Sequence, residues 1–148
     1  MESMVIKGKE RINSNKSMRL ILMEDAEVEA NFVVDDKNLE VEIFHRGKNS
    51  KSEVVLKGLS RKKAVLKGKL VVEKGAEKSS GNLVIKGLSD GGRIEVVPAI
   101  EVYEKNINVD HSASIQEIDS EMVFYLQGRG IGKKEAKKII AEGFLNYL

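Results

Sequence analysis

The chain of 148 residues contains two histidines, His45 and His111, and no cysteine. That inventory sets the chemistry open to it. Without a thiol, the chain can form no disulfide and can build no thiolate-ligated metal site by itself. A nucleophile–histidine triad would have to use one of the two imidazoles. Neither lies in a nucleophile motif, and no Gly-x-Ser-x-Gly elbow occurs. His45 closes a hydrophobic run in Phe44-His45-Arg46-Gly47-Lys48-Asn49-Ser50-Lys51-Ser52, where a structural ring packed at a corner is expected. His111 lies in Val109-Asp110-His111-Ser112-Ala113-Ser114-Ile115. Taken alone it is expected to be structural or surface-exposed, because one imidazole cannot hold an ion without partners from elsewhere.

Carboxylates are plentiful, with 23 acidic residues. The pair Asp35-Asp36 sits in a turn, where Asp is favoured for its backbone hydrogen bonds rather than for acid–base work. The run Gly128-Arg129-Gly130-Ile131-Gly132-Lys133 has the wrong spacing for a phosphate loop, and no strand leads into it. It is expected to be a turn between helices, and ATP hydrolysis is not expected.

Short apolar–polar alternation positions these residues from Val5 to about Ser114. Met18–Leu22, Ala30–Val34 and Leu39–Phe44 each have the length and side-chain alternation of a strand. So do Val54–Leu56, Ala64–Leu66 with Leu70–Val72, Leu83–Ile85, Ile94–Val96 and Ile100–Val102. Turn chemistry separates them at residues 35–38, 47–50, 74–76 and 89–92. The spacing alone fits a sandwich, a barrel or a β-helix. An internal repeat favours the last: Val54-Val55-Leu56-Lys57-Gly58-Leu59-Ser60 returns as Leu83-Val84-Ile85-Lys86-Gly87-Leu88-Ser89. Lys-Gly also follows apolar residues at 7–8 and 67–68. Repeated strand-plus-glycine units suggest stacked rungs with tight corners at the glycines, although Lys-Gly is also a common turn in any lysine-rich chain.

The last thirty residues change period. Asp119 or Ser120 can cap a helix through Glu121–Gln127, with Gly128 placed to end it. A second helix over residues 133–148 would put Ala136, Ile139, Ile140 and Phe144 on one face and its charges outside. The expected organisation is therefore a β body over residues 1–118 and a helical segment over 119–148, packed together as one domain.

Composition excludes several classes. Charged residues make up 32% of the chain, yet the net charge is only +2, so no polyanion-binding tail is present. Tryptophan is absent and aromatics are 5%, which argues against stacking platforms for nucleic acid. No stretch approaches the roughly 20 apolar residues needed to cross a bilayer, and the first residues lack the apolar run of a signal peptide. A cytoplasmic protein with neither nucleic-acid nor membrane partners is expected.

Several ordered motifs resemble one family. Ile100-Glu101-Val102-Tyr103, Asp110-His111-Ser112-Ala113-Ser114-Ile115, Ile118-Asp119, Phe124-Tyr125-Leu126 and Gly128-Arg129-Gly130-Ile131 occur in that order. Glu135-Ala136 and Ile139–Leu145 close the set, and the segments at 45–52, 64–69 and 75–76 precede it. Together they are similar to the SufB/SufD proteins of iron–sulfur cluster assembly, over residues 39–148. In that family a His-Glu-Ala-Thr or His-Gly-Ala-Thr box precedes an Ile/Leu-Asp pair, a Leu-Phe-Tyr-Leu helix and an Arg-Gly-Ile turn. Here Ser112 and Ser114 depart from the box. The cysteine expected in SufB falls near Val102, which makes the chain SufD-like.

The resemblance implies an all-β body, a right-handed parallel β-helix, with a short C-terminal α-helical pair. It implies a non-enzymatic scaffold that docks a SufC-type ABC ATPase on those helices, through Phe124, Tyr125, Arg129, Ile131 and Phe144. It also implies pairing with another SufB/SufD-type subunit or with a copy of the chain. His111 is the counterpart of the family's candidate cluster ligand. No cofactor is expected to be held stably by this chain alone; a transient iron–sulfur cluster would need a cysteine-bearing partner. Family members carry further N-terminal rungs and helices, so residues 1–38 or a partner are expected to cover an otherwise open β-helix end. Two other readings stand beside this one: a degenerate paralogue that only oligomerises, and a carbohydrate-active β-helix protein.

Overall fold

Alternation at period two puts every second side chain on one face of a strand, and stacking such strands in register builds a continuous interior. A computed structural model describes residues 1–146; the last two residues of the helix expected over 133–148 lie outside the described residues. Ten strands alternate between two sheets. The odd strands are β1 (Glu2–Ile6), β3 (Met18–Leu22), β5 (Leu39–His45), β7 (Lys63–Val72) and β9 (Arg93–Val102). The even strands are β2 (Lys9–Ser14), β4 (Glu27–Asp35), β6 (Lys51–Ser60), β8 (Ser80–Ser89) and β10 (Asn108–Glu117). Spatial order follows chain order in both sheets, β1-β3-β5-β7-β9 and β2-β4-β6-β8-β10, and every pairing is parallel. This is a parallel β-solenoid, and one odd strand with the even strand after it makes a rung.

The interior is a set of columns running through the rungs. Leu20, Ile43, Leu70 and Ile100 stack in one sheet, and Phe32, Leu56, Ile85 and Ala113 in the other. All of the residues before the last rung in these two columns are fully buried. Outer faces carry ion-pair ladders across the strands, such as Arg19–Glu42 at 2.9 Å and Lys69–Glu101 at 3.1 Å.

The corners are built by residues with positive φ. Asp25, Asn49, Lys78 and Asn106 recur at the same corner of successive rungs, with φ of 60°, 55°, 59° and 49°. Backbone bonds tie this column together, from Asp25 N to Lys48 O, Asn49 N to Glu77 O, and Lys78 N to Asn106 O. At the opposite corner the Asp36 carboxylate accepts the N–H groups of Arg61 and Lys62. Partial burial pushes that carboxyl up, but those two bonds and the neighbouring charges outweigh it and hold it below its ordinary value. Asp35-Asp36 is thus turn chemistry.

Two expectations are corrected here. Gly8 lies at the corner between β1 and β2, but the other glycines of the Lys-Gly repeats do not make corners: Gly58, Gly68 and Gly87 lie inside β6, β7 and β8. They face the interior, where an added Cβ would stand 2.8 Å from Leu66, 3.0 Å from Ile85 and 2.6 Å from Ile94, respectively. Side chains from the opposite sheet occupy the room a Cβ would take. Residues 1–38 are not a lid either; they form β1 to β4, and the free edges of β1 and β2 are uncovered among the described residues. Their alternation continues the rungs and leaves no residues for a cap. The two short runs on either side of Pro98 are one strand, β9, at a sheet edge where proline is tolerated.

After β10 come α1 (Ser120–Gly128) and α2 (Lys133–Asn146). Asp119 caps α1, its carboxylate accepting from Glu121 N at 2.9 Å. Gly128–Lys133 is indeed the inter-helix turn, with Gly130 at φ 89°. The buried face of α2 is displaced from the expected one. Ala136 and Ala141 are buried and Ile140 and Phe144 half-buried, whereas Ile139 is 41% exposed. Among the described residues, no helix is long and apolar enough to cross a membrane.

Candidate functional site: the open last rung and the helix pair

Both histidines stand on interior columns, and their surroundings are opposite. His45 ends β5, between Leu22 and Val72 in its column, and is 0% exposed. Its Nδ1 and Nε2 lie 2.8 Å from Ser50 Oγ and Ser52 Oγ. Ser50 Oγ also lies 2.8 Å from Gly47 O, and each ring nitrogen has a hydroxyl partner. Ser79 Oγ, 3.0 Å from Ser50 Oγ, completes the cluster. Burial pushes the imidazole down to about 4, with a hydrogen bond to the Ser50 backbone opposing it. His45 is therefore a neutral, fully bonded structural residue at a corner. The serines were missed at the sequence level, and Ser50-Lys51-Ser52 after a glycine was the available signal.

His111 lies on β10, paired with Leu83 in the column Ala30, Val54, Leu83. Those three are buried; His111 is exposed because no strand pairs with the far edge of β10 among the described residues. The same open end presents Val109, Ala113 and Ile115 from β10, and Ile94, Val96 and Ile100 from β9. Ile94, Val96, Ile100 and Val109 pack against the core with one side uncovered, and Ile115 is 49% exposed. The last rung thus offers unpaired backbone at two edges, an apolar interior face and one imidazole. Among the described residues no group of three or more His, Asp or Glu is placed to hold a metal. Any ion bound at His111 needs ligands from another chain. Sequence reasoning singled out His111 but not the apolar residues around it, because nothing in the alternation marks a rung as the last.

The other residues singled out from sequence lie on the helices. Phe124 is 77% exposed and Tyr125 also projects outward. The Arg129 guanidinium lies 5.1 Å from the centre of the Tyr125 ring. Ile131 is half-buried in the turn. Phe144 faces the other way and packs with Leu145 and Ile118 against Leu59, Leu88 and Ala141. Between α1 and the β8–β9 turn lies a cleft of about 520 Å³, lined by Asp90, Gly91, Ile118, Val123, Phe124 and Lys133 among others. His111, on the last rung, and the aromatics of α1 belong to two separate surfaces.

Fold and surfaces together define a parallel β-solenoid with an open apolar last rung and an exposed aromatic helix beside it. The model of the SufBD core domain, described as SUF system FeS cluster assembly, matches residues 35–144, and the chain belongs to that family. An iron–sulfur cluster assembly SufBD family protein of Galdieria sulphuraria is 35% identical over 106 residues, covering 69% of this chain and 48% of the relative. One from Archaeoglobus fulgidus is 33% identical over 102 residues, covering 67% and 27%. The iron–sulfur cluster assembly protein SufD of Bacillus subtilis is 29% identical over 113 residues, covering 74% and 26%. The chain spans about half the length of the first of these and about a quarter of the other two.

Proposed function

We propose that the chain is a non-catalytic scaffold or accessory subunit of cytoplasmic iron–sulfur cluster assembly. It pairs through its last rung with a second SufB/SufD-type chain, a copy of itself included, and docks a SufC-type ABC ATPase on α1 and α2. The observation that carries the reading is the last rung, where β9 and β10 have no outer neighbours among the described residues and apolar columns stop uncovered. Unpaired edges of this kind template pairing with another chain. His111 stands on that face and can offer one imidazole nitrogen to a cluster in transit. With no cysteine in the chain, the thiolates that iron–sulfur clusters require come from the partner. Phe124, Tyr125 and Arg129 supply the rigid aromatic and guanidinium groups that anchor protein interfaces.

Co-purification with the SufC-type ATPase of the same organism tests the docking, with loss of the complex expected on deleting residues 131–148. Ala113→Arg tests the pairing. A charge on the interior face of the last rung should weaken association of the chains on the order of a hundredfold in sedimentation. Unchanged association would remove the last rung as the interface. A second reading, a paralogue that pairs but handles no cluster, draws support from His111 belonging to no group of three or more potential metal ligands among the described residues. Anaerobic reconstitution with iron, sulfide and a cysteine-bearing SufB-type partner separates the two. A spectrum altered by His111→Ala favours the scaffold, and an unaltered one the paralogue.

A further inference from the structure

The repeat Lys-Gly-Leu-Ser has a use beyond packing the interior. Lys57, Gly58, Leu59 and Ser60 pair in register with Lys86, Gly87, Leu88 and Ser89 on adjacent β6 and β8. The glycines face inward, where Leu66 and Ile94 fill their space, so the lysines and leucines face outward, under α2. Leu59 and Leu88 are buried there with Ala141, Phe144 and Leu145. Lys57 is only 2% exposed. Its ammonium donates to the Phe144 carbonyl at 2.9 Å and lies 5.6 Å from the centre of the Phe144 ring.

That carbonyl lies in the last described turn of α2, at the negative end of the helix, where a cation is favoured. Helices commonly meet this need with a basic residue of their own, but α2 has none in its last turn. The sheet supplies the cation instead. Near the first turn of α2, Lys137 donates to Asp90 Oδ1 at 2.9 Å, and Asp90 also faces Arg61 at 3.8 Å. Ala141, Phe144 and Leu145 on the two leucines hold the C-terminal half of α2. The two lysine contacts, one near each end of α2, set its direction. Val123 is the one buried residue of α1, and the cleft separates α1 from the β8–β9 turn, so α2 carries α1.

We infer that the repeat is a mount for α2, in which Lys57 and Asp90 are positioning residues that set the direction of the helix pair relative to the last rung, and thereby how α1 meets a docked protein. The effect on docking rests on the reading that these helices bind the ATPase; the mount itself does not. Because the chain has no cysteine, Glu53→Cys and Glu121→Cys place one spin label on the β body and one on α1 with no background labelling. In this labelled full-length chain, Lys57→Met and Asp90→Asn should broaden the label-to-label distance distribution. Amide exchange in α2 should quicken about tenfold while β6 and β8 stay protected, as loss of a charged hydrogen bond confined to one unit requires. Affinity for the SufC-type ATPase should fall by a similar factor, and Lys57→Arg should restore all three readouts. An unchanged distance distribution in both variants overturns the mount. A broadened distribution with unchanged affinity overturns the positioning role. No binding by the unsubstituted chain overturns the docking reading instead, and the distances still decide the mount.

Discussion

The two histidines lie in different sheets of the solenoid and have opposite fates. Each stands on an interior column, but His45 has a rung on either side and His111 has a rung on one side only. The middle rung removes water, closes a serine cluster on both ring nitrogens and keeps the imidazole neutral. The last rung leaves its imidazole exposed on an apolar face. A residue's chemistry here depends less on its strand than on whether a further rung follows. Stacked repeats behave this way because each unit is stabilised by its neighbours alone.

The largest expected effect separates the two positions directly. His45→Ala leaves a cavity and strands the hydroxyls of Ser50 and Ser52 without their ring partner, and should cost about 3–4 kcal/mol in urea unfolding. His111→Ala removes no buried contact, and should change stability by no more than about 0.5 kcal/mol. Comparable losses at both positions would mean that the last rung is covered in the free chain.

Acid should find the same difference. His45 titrates near 6.5 when unfolded and at about 4 in the fold, so the unfolded chain takes up the proton first as pH falls. The contribution is complete above about pH 6.5 and is lost as pH falls through 4, amounting in full to about 3 kcal/mol. Asp36, held below its ordinary value, loses its contribution at still lower pH. A pH series on His45→Gln isolates the histidine, because the slope between pH 6.5 and 4 should flatten in that variant and persist in His111→Gln.

Much of this fold is legible in the sequence, and the exceptions share a cause. Leu39–His45 alternates at period two because only one face is buried, and Asp119 announces α1 because a carboxylate there takes the helix's free N–H groups. These are local demands. Gly58, Gly68 and Gly87 were read as corners because their true reason lies across the interior, in Leu66, Ile85 and Ile94 from the other sheet. Ile139 was read as core and is exposed, because the leucines and lysine beneath α2 select the face holding Ala136, Ile140 and Ala141. The site divides in the same way. His111 is legible as a motif residue, whereas the apolar face around it is open because no strand follows β10 in its sheet among the described residues.

The glycines sharpen the comparison at smaller cost. Gly58→Ala drives a Cβ to within 2.8 and 2.9 Å of both methyls of Leu66, which is fully buried between rungs and cannot withdraw. Overpacking of that kind costs about 2 kcal/mol. Gly87→Ala makes an even closer contact, 2.6 Å to Ile94 Cδ1, yet Ile94 belongs to the last rung and has an open side. Its side chain can turn away, and the cost should stay below about 1 kcal/mol. Chemical denaturation of the two variants reads the difference. A larger loss for Gly87→Ala would show that the last rung is as rigid as the middle ones.

The smallest effect concerns the corner column. Asp25, Asn49, Lys78 and Asn106 all hold positive φ, a conformation that asparagine and aspartate tolerate better than lysine. Asn49 also donates to the Asp25 carboxylate, a side-chain ladder that Lys78 interrupts. Lys78→Asn removes the local strain and should stabilise the chain by about 0.5–1 kcal/mol. Because Lys78 leads into β8, a strand paired on both edges, the gain should appear in the global unfolding transition. Asn106→Lys makes the reverse change at the corner leading into β10. That strand is paired on one edge only, so the cost should appear as faster amide exchange confined to β10, with the main transition unmoved. A shift of the whole transition by Asn106→Lys would place the last rung inside the same cooperative unit as the middle of the solenoid.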